Sequence, residues 1–95
     1  MENKNCVHIL VEGLVQGVGF RYYVKSVAQE LGVTGWVRNR YDERVEILAL
    51  GDTEKLQKLI ALVRAGPSAS LVTDLTIEWQ VPETHFERFS IAPTV

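Results

Sequence analysis

Apolar and polar positions change period several times along the chain, and each change marks an element. In residues 6–12 (CVHILVE), Val7, Ile9 and Val11 alternate with Cys6, His8, Leu10 and Glu12. A period of two predicts a strand with one face inward. From Arg21 to Leu31 the apolar residues fall at Val24, Val27, Ala28 and Leu31. The spacing i, i+3, i+4, i+7 predicts an amphipathic helix, and Gly32 supplies its stop. Residues 34–40 (TGWVRNR) and 44–50 (RVEILAL) are rich in β-branched and aromatic residues, with Tyr41, Asp42 and Glu43 between them. They read as a hairpin. Leu56, Leu59, Ile60 and Val63 repeat the helical spacing over 53–64, after Asp52 as N-cap and before the stop at Gly66-Pro67. Leu75, Ile77, Trp79 and Val81 alternate with Thr76, Glu78 and Gln80, and Pro82 closes that strand. Residues 86–92 (FERFSIA) can form a last short strand.

The order is strand, helix, strand, strand, helix, strand, with a short C-terminal strand added. The first crossover contains a helix and the middle pair is a hairpin. This order suits an α+β, ferredoxin-like βαββαβ sandwich: one antiparallel sheet with both helices on one face. The chain reads as a single domain over residues 1–95, without an internal linker or low-complexity segment.

The stretch GLVQGVGFRYY, residues 13–23, interrupts this regularity. It sets Gly13, Gly17 and Gly19 in a loop that runs directly into the first helix. Residues 15–20 are Val, Gln, Gly, Val, Gly and Phe, none of which can cap that helix in the way Asp52 can cap the second. The first turn of a helix leaves backbone donors unpaired, and an anion satisfies them well because the helix dipole adds partial positive charge. Gly17 and Gly19 can take positive φ, so that successive amides form a nest a ligand can approach closely. Arg21 lies in the first turn, and its guanidinium offers a planar fork matched to a phosphoryl group. On spacing alone, a tight turn beside a solvated arginine accounts for these residues equally well. A dinucleotide fingerprint would need a small residue where Tyr22 stands, and a nucleotide P-loop would need Gly-Lys-Ser/Thr.

Charge and composition narrow the rest. The chain has 95 residues, 46% of them hydrophobic, and a net charge of −2. That supports one core and supplies no global field for nucleic acid or an anionic membrane. One cysteine, Cys6, excludes an internal disulfide and a thiolate metal site within one chain. The polar start MENKNC has no signal-peptide pattern, and no apolar run approaches a membrane span. A cytoplasmic monomer is the default expectation.

GLVQGVGFR (13–21) and GWVRN (35–39), followed by Val45 and Gly51, resemble the two signature motifs of the acylphosphatase family. GPSASLV (66–72) is similar to that family's segment after the second helix, and FSI (89–91) to its final strand. The resemblance implies hydrolysis of a small acyl phosphate to a carboxylate and inorganic phosphate, with no metal or other cofactor. It implies that Arg21 binds the phosphoryl group and Asn39 holds the attacking water. The amides of Val15, Gln16, Gly17, Val18, Gly19 and Phe20 would complete the cradle. Acetyl phosphate, carbamoyl phosphate and 1,3-bisphosphoglycerate all fit a shallow site of this kind. One position departs from the family pattern: Glu43 stands where a hairpin glycine is usual. A non-glycine residue at positive φ costs of order 1 kcal/mol.

Other candidates read as structural. His8 and His85 make no metal-spacing motif. Cys6 has no visible activating neighbour and reads as a small core or edge residue. Trp36, Trp79, Tyr22 and Tyr23 read as core and rim aromatics, Ser68 and Ser70 as loop polar residues, Glu12 and Glu46 as exposed strand positions. Arg38, Arg40, Arg44 and Lys25 read first as a solvated charged face, and second as a local positive field that draws in a dianion. An RNA-recognition module would need aromatics on RVEILAL, which has none. A non-catalytic anion-binding or regulatory domain stays open as the alternative to an enzyme.

Overall fold

The computed structural model describes residues 4–95. The elements follow the predicted order: β1 (Lys4–Leu14), α1 (Phe20–Leu31), β2 (Thr34–Asn39), β3 (Val45–Asp52), α2 (Thr53–Ala65), β4 (Leu71–Gln80) and β5 (Phe89–Ile91). They form one sheet in the order β4-β1-β3-β2-β5. α1 lies over β2 and β5, α2 lies over β3, β1 and β4, and the two helices touch each other.

The alternation in β1 decides which face meets the helices. Val7, Ile9 and Val11 pair with Ala49, Ile47 and Val45 of β3, and all six are fully buried. Val37 and Phe89 extend this layer, and Phe20, Val24, Ala28, Leu56, Leu59 and Val63 close it from the helices. Fully burying a side chain of this size contributes about 1.5–3 kcal/mol each, so this layer is the main source of stability. Among the described residues no helix is long and apolar enough to cross a membrane.

Three details depart from the sequence expectation, each for a local reason. β4 begins at Leu71 rather than Leu75, because a bulge between Glu12 and Gly13 shifts the register to Gly13–Val72 and Leu14–Leu71. The bulge breaks the period of two, so the alternation fades while the pairing continues. β5 joins β2 in parallel, through Gly35–Phe89 and Val37–Ile91, making the sheet mixed. β4 ends on the side of the sheet where β2 begins. The 81–88 segment crosses along that side, and β5 must run the way β2 runs. Finally, Asp52 occupies the N-cap of α2 but makes no side-chain cap bond; its Oδ1 is buried without a partner among the described residues. Asp52 is also the last residue of β3, opposite Lys4, so the strand ladder sets its place.

Candidate active site

β1 delivers the chain to the end of the sheet, and the glycine loop turns it back towards α1. Gly17 (φ 73°) and Gly19 (φ 78°) both take the left-handed conformation, and Gly19 is the N-cap of α1 without any side-chain cap bond. A Cβ on either glycine would meet nothing within 4 Å, so packing does not demand glycine there. The backbone conformation does. The side chains of Val15 and Phe20 are buried and anchor the loop at both ends, with Val18 packed against the core between them.

The consequence falls on the amides. Among the described residues, no backbone N–H of residues 16–22 donates to an acceptor in the protein. The first intrahelical bond runs from the Tyr23 N–H to the Gly19 carbonyl at 3.0 Å. Left-handed residues at 17 and 19 allow successive N–H groups to turn towards one side, as in an anion nest. Arg21 stands half-buried on the first turn of α1, and its guanidinium has no ion pair or hydrogen bond to the described residues.

Asn39 approaches from the other side. It ends β2 opposite Val45, on the same face as buried Val37, which is the helix-bearing face. Its Oδ1 is buried and has no hydrogen-bond partner among the described residues. An unpaired buried acceptor costs about 1–3 kcal/mol, which a water donating to it would offset. The loop and the hairpin are joined by Gln16. Its Nε2 donates to the carbonyls of Arg40 at 2.8 Å and Arg44 at 2.9 Å. This side-chain link tethers the amide nest to the strand end that carries Asn39. In the sequence reading Gln16 contributes only its amide; a polar side chain inside an otherwise apolar and glycine loop was the signal for the second role.

The hairpin turn takes the conformation that its residue disfavours. Glu43 has φ 74°, alone among non-glycine residues described. Its N–H donates to the Arg40 carbonyl at 3.1 Å, and the Arg40 N–H donates to the Arg44 carbonyl at 2.9 Å. Asp42 accepts from the guanidinium groups of Arg40 and Arg44 and from the Arg44 N–H. These bonds hold its carboxyl well below the usual carboxylate range, Arg44 contributing most.

The hairpin arginines, read as a solvated charged face or as a local positive field, are partly exposed and each is ion-paired. On the face away from the helices, the Glu46 carboxylate accepts from Arg38 Nε at 2.8 Å and Arg40 Nη1 at 3.2 Å, and meets His8 Nε2 at 2.7 Å. Glu46, expected at the surface, is only 7% exposed because these three side chains roof it. Burial disfavours its ionised form, but the bonds from Arg38, His8 and Arg40 outweigh burial and hold the carboxyl down at about 2. Arg38 also lies over the Trp36 ring, 4.3 Å from its centroid. Cys6 is buried, and burial pushes its thiol up, which removes it as a nucleophile.

A half-open pocket of about 270 Å³ lies at the opposite end of the sheet. Lys4, Thr34, Leu50, Pro82 and residues 84–86 line it, and no residue of the glycine loop or of the 39–45 turn does.

The family model described as Acylphosphatase matches residues 7–91, a span that contains the glycine loop, Arg21, Asn39 and the hairpin turn. The chain belongs to the acylphosphatase family. It is 49% identical over 93 residues to an acylphosphatase of Koribacter versatilis, covering 98% of this chain and 84% of that one. The crystal structure of acylphosphatase from Bacillus subtilis superposes with a TM-score of 0.90 at 43% identity, covering 93% of this chain and 98% of that one. An acylphosphatase from Coxiella burnetii gives a TM-score of 0.89 at 36% identity, covering 95% of this chain and 94% of that one. In this chain the two motif segments, far apart in sequence, come together through Gln16 and the sheet end.

Proposed function

We propose that the nest and the sheet end together hydrolyse an acyl phosphate, with the roles divided among Arg21, the loop amides and Asn39. One observation carries this reading: among the described residues the N–H groups of residues 16–22 have no acceptor, and Arg21, unpaired among them, stands beside these amides. The phosphoryl oxygens accept from those amides and from the guanidinium. Phosphoryl transfer passes through a loose transition state, so positioning and charge stabilisation supply most of the rate.

Asn39 is neutral and cannot be a general base. Its Oδ1 accepts one hydrogen of a water and so aims the water oxygen at phosphorus. As the new P–O bond forms, the bond to the acyl oxygen breaks, and its electron pair leaves with the carboxylate. The conjugate acid of that group has a pKa of about 4, so it departs without a general acid. The water proton goes to a phosphoryl oxygen of the substrate. One chain supplies every group in this scheme.

Turnover of benzoyl phosphate in the presence of a chelator tests it. Hydrolysis at undiminished rate, inhibited competitively by inorganic phosphate, is the expected result. Binding of phosphate without turnover would leave only a non-catalytic anion module.

A further inference from the structure

We propose that Glu46 is a positioning residue for hydrolysis: it fixes the peptide that carries Asn39 by clamping both of that residue's neighbours from the far side of the sheet. The proposal rests on the reading of Asn39 as the group that aims the water.

The carboxamide of Asn39 makes no hydrogen bond to the described residues, so nothing on its own side chain sets its direction. Its orientation comes from the backbone. Arg38 and Arg40, the residues on either side, point to the opposite face, as neighbours in a strand do. There a single oxygen, Glu46 Oε1, accepts from both, at 2.8 Å from Arg38 Nε and 3.2 Å from Arg40 Nη1. Glu46 is itself placed by the ladder, directly across from Arg38 and Leu10. Its second oxygen is engaged by His8 of β1 at 2.7 Å, so the carboxylate is tied to three strands at once.

Arg40 is held at its main chain as well. Its N–H reaches Arg44, and its carbonyl accepts from Gln16 and from the Glu43 N–H. The peptide bearing Asn39 therefore lies between a side-chain clamp below the sheet and the loop tether above it. Stability alone is a poor account of such a group, because a buried ion cluster is often no better than apolar residues of similar size. Leu10 and Leu48 show that apolar side chains are accommodated on this face. A misplacement of a catalytic group by about 1 Å costs up to about a hundredfold in rate. A clamp that prevents this has a catalytic reason to be polar and directional.

The test is steady-state hydrolysis of benzoyl phosphate by Glu46→Gln, Asn39→Ala and the double variant, with inorganic phosphate as competitive inhibitor. Glu46→Gln should lower kcat about tenfold and leave KM and the phosphate inhibition constant within twofold, because the nest and Arg21 are untouched. On the Asn39→Ala background the same substitution should change kcat less than twofold. Arg38→Gln keeps the pairs to Arg40 and His8. It should lower kcat about threefold with the same silence in KM, and it reports even if Glu46→Gln does not fold. Wild-type kcat in Arg38→Gln and in a folded Glu46→Gln overturns the proposal. So does a tenfold fall that persists on the Asn39→Ala background. Full activity of Asn39→Ala alone overturns the role of Asn39, and the clamp's catalytic meaning with it.

Discussion

The two helices are alike in lacking a side-chain cap and unlike in the charge at their start. Neither N-cap residue makes a side-chain bond: Gly19 has no side chain, and Asp52 does not use its own. Yet α2 carries Asp52 and Glu54 at its start, whereas the first turn of α1 has no acidic residue and has Arg21. Carboxylates already neutralise the positive end of α2. The positive end of α1 has no carboxylate on its first turn, which is what its proposed anion-binding role requires. The arginines repeat the contrast. Arg38, Arg40 and Arg44 are committed to Glu46 and Asp42, and Arg21 is committed to nothing described. An unpaired cation beside unpaired amides distinguishes a binding end from a structural one; a glycine-rich loop or a missing cap does not.

The largest effect should come from erasing the free cation. Arg21→Ala is expected to lower kcat/KM for benzoyl phosphate by about 10³ or more, through both kcat and KM, since removing one such donor costs about 10²–10³ in kcat. Arg44→Ala, which breaks only an exposed pair, should change it by less than about threefold. Equal losses in the two variants would erase the distinction between them. A smaller effect should follow from giving α1 the acidity of α2. Tyr22 is 69% exposed on the first turn of α1. Tyr22→Glu should raise KM and the phosphate inhibition constant about fivefold, with Tyr22→Gln as the neutral control.

The paired arginines should register in stability instead. The Glu46 carboxyl is held at about 2 against an ordinary value of 4.5. Its folded-state value is depressed, so its stabilising contribution is complete above about pH 4.5 and fades as pH falls towards 2. The thermal midpoint of the wild-type protein should therefore drop more steeply than that of Glu46→Gln between pH 5 and pH 2. The smallest effect concerns the one left-handed residue that is not glycine. Glu43→Gly should raise stability by up to about 1 kcal/mol in urea unfolding, with little change in turnover. An unchanged or lower stability would mean that the side chain of Glu43 contributes to the turn.

Most of the architecture was legible because burial imposes a period. Val7, Ile9 and Val11 in β1, and Leu56, Leu59 and Val63 in α2, mark their inward faces without knowledge of their partners. The bulge at Glu12 hid the start of β4, since one extra residue exchanges the two faces. The parallel pairing of β5 was illegible, because it depends on where the 81–88 crossing ends rather than on FSI itself. In the site, Gly17, Gly19 and Arg21 announced themselves by residue type, and the motif resemblance pointed to Asn39. The burial of Glu46 did not, because a glutamate alternating with apolar residues looks the same whether it faces water or two arginines.

The sequence alone determined the order of elements, the inward face of each, and a loop able to present its own amides, because these follow from local period, backbone freedom and the absence of a capping side chain. Only the tertiary structure decided which charges stay free. Arg38, Arg40 and Arg44 find carboxylates through a strand register and a tight turn, Arg21 finds none, and Gln16 reaches the hairpin across a gap of 24 residues. Electrostatic pairing depends on distances of a few ångströms between segments remote in the chain, and those distances are set by packing.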